Sequence, residues 1–155
     1  MKYTIFDLDG TVIDSSHRSM FDPITGKTNL EFWRENSTRA KIMKDSLMPL
    51  AKVWHKIIPK AGKRIVICTA RVLTHIDYEF LRTKGLFADA IFSRPEGDMT
   101  ADADLKISQI MPFLAAQKDV DSVKFWDDNV SVRSAFTREG IQTLNPEIIN
   151  GKQEW

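Results

Sequence analysis

YTIFDLDGTV, residues 3–12, begins as a strand and ends as something else. Tyr3, Thr4, Ile5 and Phe6 are aromatic or β-branched, the residue types that favour a pleated, buried segment. Asp7 and Asp9 follow directly, and Gly10 permits a sharp turn away. The pair could merely terminate a strand or cap a turn. Two carboxylates beside an apolar run nevertheless cost burial free energy unless something binds them, which favours a site at the strand end.

Outward from this segment, four more short apolar runs read as strands: RIVIC (64–68), AIF (90–92), VKFW (123–126) and IQTL (141–144). Helical spacing fills the intervals. Leu47, Leu50, Val53, Trp54, Ile57 and Ile58 form one apolar stripe, with Ser46 as its N-cap, Pro49 in the first turn and a stop near Pro59 and Gly62. Leu73, Ile76, Phe80 and Leu81 form a second, closed by Lys84 and Gly85. Leu105, Ile110, Met111 and Leu114 form a third, expected to bend or restart at Pro112, and Val132, Ala135 and Phe136 a fourth that ends at Gly140. Such alternation predicts parallel pairing with right-handed crossovers: a three-layer α/β/α sandwich around a mainly parallel, Rossmann-like five-stranded sheet. Ligands of such sheets bind beyond the carboxyl ends of the strands.

The remaining composition narrows the class. A chain of 155 residues, 43% hydrophobic and without repeats or linkers, is expected to be one domain over 1–155. Twenty-two Lys+Arg against 21 Asp+Glu leave +1, so no global field draws it to nucleic acid or membrane. A lone cysteine, Cys68, and three scattered histidines exclude a disulfide framework and a Cys/His zinc site. No apolar run approaches the roughly 18 residues of a membrane span, and the start lacks a signal-peptide core, so the expected location is cytoplasmic.

The strand-end rule picks out polar residues far apart in sequence. The first strand ends at Asp7, the second at Thr69 and the fourth at Asp127 and Asp128. With them, the segments DLDGT (7–11), TAR (69–71), LK (105 and 106) and WDDN (126–129) resemble, in order, the four motifs of the haloacid dehalogenase (HAD) superfamily of phosphohydrolases. A narrower resemblance is to the 3′-phosphatase domain of bacteriophage polynucleotide kinase/phosphatase enzymes. There an arginine follows the nucleophile by eleven positions, as Arg18 follows Asp7, and another precedes the motif lysine by twelve, as Arg94 in SRPEGD precedes Lys106. Two departures stand out: the chain has no GxxxxGK[ST] loop, and Asn129 replaces the usual arginine of the fourth motif.

The resemblance implies a small flap or minimal cap over the site, and the long polar stretch at about 14–45 is where a flap and small helical insertion would lie. It implies phosphoryl transfer, and the residue types agree. A carboxylate approaching an anionic phosphomonoester is repelled unless a cation bridges them, which an oxygen-liganded Mg²⁺ does. Asp7 is then the nucleophile, forming an aspartyl-phosphate, and Asp9 the general acid and base; strand alternation is expected to point both at one substrate. Lys106 neutralises nucleophile and phosphate. Asp127 and Asp128 complete a metal site with Asp7 and Asp9, while Thr69, Arg71, Arg18 and Arg94 bind substrate.

Each residue has a structural rival. Lys106 could be an exposed helix charge, Thr69 an ordinary strand end, Asp127 and Asp128 an N-cap pair, and Arg18 and Arg94 surface arginines. Phe32 and Trp33 remain candidates for substrate contact. The expected substrate is a phosphorylated nucleotide or the 3′-phosphate of a polynucleotide end, with no membrane and no protein partner assigned. A phosphatase of free mononucleotides or other small metabolites, and a non-catalytic module holding a phosphorylated ligand, are the alternatives.

Overall fold

The computed structural model describes residues 1–18 and 30–151. Its elements run β1 (Lys2–Phe6), β2 (Ile13–Asp14), a 3-10 turn (Ser16–Arg18), α1 (Leu30–Glu35), α2 (Arg39–Ile42), β3 (Ser46–Leu47), α3 (Ala51–Ile57) and β4 (Lys63–Cys68). They continue with α4 (His75–Thr83), β5 (Ala90–Phe92), α5 (Asp102–Ala116), β6 (Ser122–Trp126), α6 (Val130–Arg138), β7 (Gln142–Leu144) and α7 (Glu147–Asn150).

Five strands form one parallel sheet in the order β5-β4-β1-β6-β7, so β1, the strand that carries DLDG at its end, lies at the centre. A central strand is covered on both faces, which is why YTIF is nearly all apolar. Phe6, Ile65, Ile67 and Trp126 point to one face, where they join Trp54 of α3 and Phe80 and Leu81 of α4. Tyr3, Ile5, Val66, Cys68 and Phe125 point to the other and pack with Ile110 of α5 and Val132 and Phe136 of α6. The three expected layers are present.

Helix boundaries differ from expectation at two places. Ser46 is not an N-cap: Ser46 and Leu47 form β3, an antiparallel ladder with Ile13 and Asp14, and α3 starts only at Ala51. The ladder satisfies backbone groups that an earlier helix start would have used, and Met48 N continues it by donating to Val12 O at 2.8 Å. Pro112, by contrast, does not restart α5, which runs unbroken over 15 residues at the loss of one backbone hydrogen bond.

Between β1 and β3 lie the short helices α1 and α2, in the region expected to hold a flap and helical insertion. Residues 19–29, which include Lys27 and most of that flap, lie outside the described residues. Among the described residues, no helix is long and apolar enough to cross a membrane.

Candidate active site

β1 ends at Phe6, and the chain immediately folds back on itself. The carbonyl of Leu8 accepts from the amides of Thr11, Val12 and Ile13 at 3.0–3.1 Å, while Gly10, at φ +77°, donates to Ile13 O at 2.9 Å. A Cβ at Gly10 would overlap the Asp128 carboxylate, so glycine is favoured both by the backbone angle and by the place of that side chain. α7 braces this turn from outside: the Asn150 amide donates to Thr11 O and accepts from Leu50 N, both at 2.9 Å.

Asp7 is 6% exposed and saturated with partners. Lys106 Nζ donates to its Oδ1 at 3.0 Å and to Asp127 Oδ2 at 2.7 Å, and Thr11 Oγ1 donates to its Oδ2 at 3.0 Å. Thr11 also accepts from the Asp128 amide at 3.2 Å, so one hydroxyl ties the first motif to the fourth. Lys106 reaches this point because the first turns of α5 sit on the Cys68 and Phe125 face of the sheet; it is buried, not an exposed helix charge. Burial alone would lower its pKa, but the charges of Asp7 and Asp127 hold it well above the ordinary lysine range. Burial pushes the neighbouring Cys68 thiol up to about 12, which removes it from nucleophilic chemistry.

Carboxylate oxygens of Asp7, Asp127 and Asp128 lie within 4.8 Å of one another. Burial, followed by the charge of Asp7, raises both Asp127 and Asp128 above the usual carboxylate range, although Asp128 keeps an edge open to solvent. One lysine does not neutralise three converging carboxylates. The donor set is all oxygen and its charge excess negative, which fits a hard divalent cation such as Mg²⁺.

Asp9 does not join that group. Its carboxylate turns to Arg71, which donates through Nε at 3.0 Å and also through a terminal nitrogen, and to Ser15 Oγ at 2.7 Å. Strand β1 has already ended at Phe6, and in the resting structure the Asp7 and Asp9 carboxylates bind different protein groups. Enclosure pushes the Asp9 carboxyl up, but the Arg71 charge and hydrogen bonds outweigh it and leave it below the ordinary range. Asp9 nevertheless keeps 31% of its side chain exposed.

Arg71 is held from its other side by Asp77, at 2.7 Å, whose second oxygen accepts from Thr74 N at 2.8 Å in the capping box of α4. Thr69 is buried at the end of β4, and its Oγ1 accepts from the Arg71 amide at 3.0 Å, leaving its hydroxyl proton free to donate.

The two arginines singled out by spacing have structural partners. Arg18 is 1% exposed; it pairs with both oxygens of Asp45 at 2.9 and 2.8 Å, and its guanidinium lies 4.2 Å from the centroid of a Trp33 ring. Arg71 stands over the same ring at 5.4 Å, so Trp33 is a platform for two arginines. Phe32 is partly buried beside it on α1. Arg94 donates to the carbonyls of Ala70, Asp98 and Thr100 and to Asp102 Oδ1, all at 2.7–2.9 Å, and so clamps the TAR loop to the start of α5. At the fourth motif the cap of α6 is Asn129, which accepts from Ser131 N at 2.8 Å, and not the aspartate pair. Thr11, Asp45 and Asp77 escaped notice in the sequence. The final position of DLDGT was the available signal for Thr11 and the capping-box spacing from Thr74 that for Asp77, whereas nothing local marked Asp45.

A parallel α/β sandwich that gathers an aspartate, a buried lysine and two further aspartates at its strand ends is a phosphohydrolase of the HAD type. The match to known proteins narrows this further. Residues 1–154 match the family described as bacteriophage T5 5′-deoxynucleotidase, and the chain belongs to that family. A 5′-deoxynucleotidase of Escherichia phage T5 is 30% identical over 167 residues, covering 94% of this chain and 67% of the relative. Among solved structures, a chain of the Pnkp1/Rnl/Hen1 RNA repair complex superposes with a TM-score of 0.63 at 20% identity. That match covers 93% of this chain but only 42% of the other, so this chain spans less than half its length. A putative phosphatase from Clostridium difficile gives a TM-score of 0.65 at 16% identity, covering 92% of this chain and 83% of that one. These structures share the fold. The family makes the protein a phosphoric monoester hydrolase.

Proposed function

We propose that the protein is a Mg²⁺-dependent phosphatase of deoxynucleoside 5′-monophosphates that works through an aspartyl-phosphate on Asp7. The observation that carries this reading is the position of Asp7, held by Lys106 and Thr11 inside a cluster of three carboxylates. Asp7, Asp127 and Asp128 would hold the cation, which when bound offsets the repulsion between nucleophile and phosphate.

Asp7 attacks phosphorus, and the bond to the nucleoside oxygen breaks as that oxygen takes a proton from Asp9. Asp9 then removes a proton from water, which attacks the phosphorus of the aspartyl-phosphate and restores the Asp7 carboxylate. Lys106 sets a positive charge beside Asp7 and the incoming phosphate, and the free Thr69 hydroxyl proton supplies a bond to a phosphoryl oxygen. Arg71 now holds Asp9 ionised. An incoming phosphate competes for that guanidinium, and release of Arg71 lets the part-exposed Asp9 take up from solvent the proton that it then delivers to the leaving oxygen.

The 5′-mononucleotide preference is supported by the family of the chain. The reading as a 3′-phosphatase of polynucleotide ends leaned on Arg18 and Arg94, and both are engaged by protein groups in the resting structure. The phage origin of the relative supports action in host cytoplasm. A full set of Asp7, Asp9, Lys106 and Asp127 speaks against a non-catalytic binding module.

The test compares hydrolysis of deoxynucleoside 5′-monophosphates, 3′-monophosphates and a 3′-phosphorylated oligonucleotide, each with and without Mg²⁺. Faster turnover of the 5′-monophosphates, dependent on Mg²⁺ and abolished in Asp7→Asn, is expected. Preference for the oligonucleotide, or full activity of Asp7→Asn, would overturn the reading.

A further inference from the structure

On the Phe6 face of the sheet, α3 leaves part of β1 and β6 uncovered, and a cavity of about 260 Å³ opens there. Four lysines surround it: Lys56 on α3, Lys60 just beyond that helix, Lys63 at the start of β4 and Lys124 on β6. Its apolar lining is formed by Val53, Ile57 and Trp126. No carboxylate lines it, and among the described residues none of the four ammonium groups has a hydrogen-bond or ion-pair partner.

The sheet register explains the convergence. Lys124 pairs with Thr4 across the β1–β6 ladder, and Lys63 pairs with Lys2 across the β1–β4 ladder, so both lysines point to the face that carries Thr4 and Phe6. Lys56 and Lys60 alone would be explained as cations complementing the carboxyl end of α3. Lys63 and Lys124 belong to two strands separated by β1 and have no such explanation. Four like charges around one concavity repel one another, and an anion of matching charge relieves that repulsion.

We propose that this cavity is a second anion site, separate from the carboxylate cluster, that takes a polyphosphate chain, either inorganic or as the tail of a nucleoside triphosphate. A triphosphate carries negative charge comparable to that of the four lysines. The apolar wall at Ile57 and Trp126 gives a nucleoside something to pack against. Nor can the site be mistaken for the substrate site: Lys56, Lys60, Lys63 and Lys124 lie on the Phe6 face, whereas Lys106 approaches Asp7 from the opposite one. Strand β6 joins the two, since Trp126 of the cavity wall immediately precedes Asp127.

The test is calorimetric titration, without divalent cation and at low salt, of tripolyphosphate and separately of a non-hydrolysable nucleoside triphosphate. Each is titrated into the wild type, the double variant Lys56→Gln/Lys124→Gln, and Asp7→Asn. Binding of one molecule per chain is expected, weakened at least about tenfold in the lysine variant and unchanged in Asp7→Asn. Tighter binding of the nucleoside triphosphate than of tripolyphosphate assigns the apolar wall to the nucleoside; equal binding assigns the phosphates alone. Unweakened binding in the lysine variant, loss of binding in Asp7→Asn, or binding of a single-stranded oligonucleotide with neither polyphosphate would each overturn the proposal. The lysine variant should melt no lower than the wild type and hydrolyse mononucleotides at the same rate, which separates failure here from failure of the catalytic reading.

Discussion

Lys106 Nζ bridges Asp7 and Asp127, at 3.0 and 2.7 Å, from the second turn of α5. The lysine is the positive charge at the centre of a negative cluster. Removing it leaves two buried carboxylates without their partner, which typically costs about 3–5 kcal/mol. Lys106→Met should therefore lower stability by that order in urea unfolding without Mg²⁺, and lower kcat/KM on the order of 10²-fold or more. A variant as stable and active as the wild type would show that the bridge contributes to neither.

Gly10 can be replaced by no other residue without displacing Asp128. Its φ of +77° disfavours any Cβ, and the added atom would meet the Asp128 carboxylate. Gly10→Ala is expected to raise the Mg²⁺ concentration needed for half-maximal activity as well as to lower Tm. If Tm falls but the Mg²⁺ requirement stays the same, the turn serves stability only.

The pairing of Arg71 with Asp9 predicts a pH signature. Asp9 titrates below its unfolded value, so the folded protein binds fewer protons than the unfolded chain between the two values. The stability contributed by the pair is thus complete above the ordinary carboxylate value of about 3.9 and disappears as pH falls through the lower native value. Arg71→Gln should be less stable at neutral pH and lose less on acidification, as read from urea midpoints between neutral and acidic pH. Parallel acid limbs in the two proteins would refute the assignment.

Cys68, buried on the sheet beneath Lys106 and with its thiol pushed up to about 12, should resist iodoacetamide in the folded protein at mildly alkaline pH. Mass spectrometry should find it modified promptly only after denaturation. Equal rates in the two states would mean that this face of the core opens readily.

Legibility from sequence followed the range of each interaction. The five sheet strands were visible because β-branched and aromatic residues cluster locally, and α4, α5 and α6 because apolar residues recur at helical spacing. The elements α1, α2, β2, β3 and α7 span between two and six residues each and are too short to show a period, which is how Ser46 passed for a helix cap. In the site, Asp7, Thr69 and Asp127 stood out because carboxylates and a hydroxyl recur where strands end, and Lys106 through the resemblance of LK to a HAD motif. Arg18 and Arg94 stood out by spacing alone, and spacing carries no information about which acceptors are nearest.

The sequence by itself determined the layered α/β architecture, the apolar first strand and the aspartates placed at its end, since these depend on neighbours within a few positions. Only the tertiary structure decided that Asp9 faces Arg71, 62 residues away, and that Arg18 closes on Asp45, 27 residues away. It also decided that Lys106 is buried between Asp7 and Asp127, and that four lysines from separate elements share one cavity. Each of these is a competition among partners for one charge, settled by where the packed sheet and helices bring distant side chains.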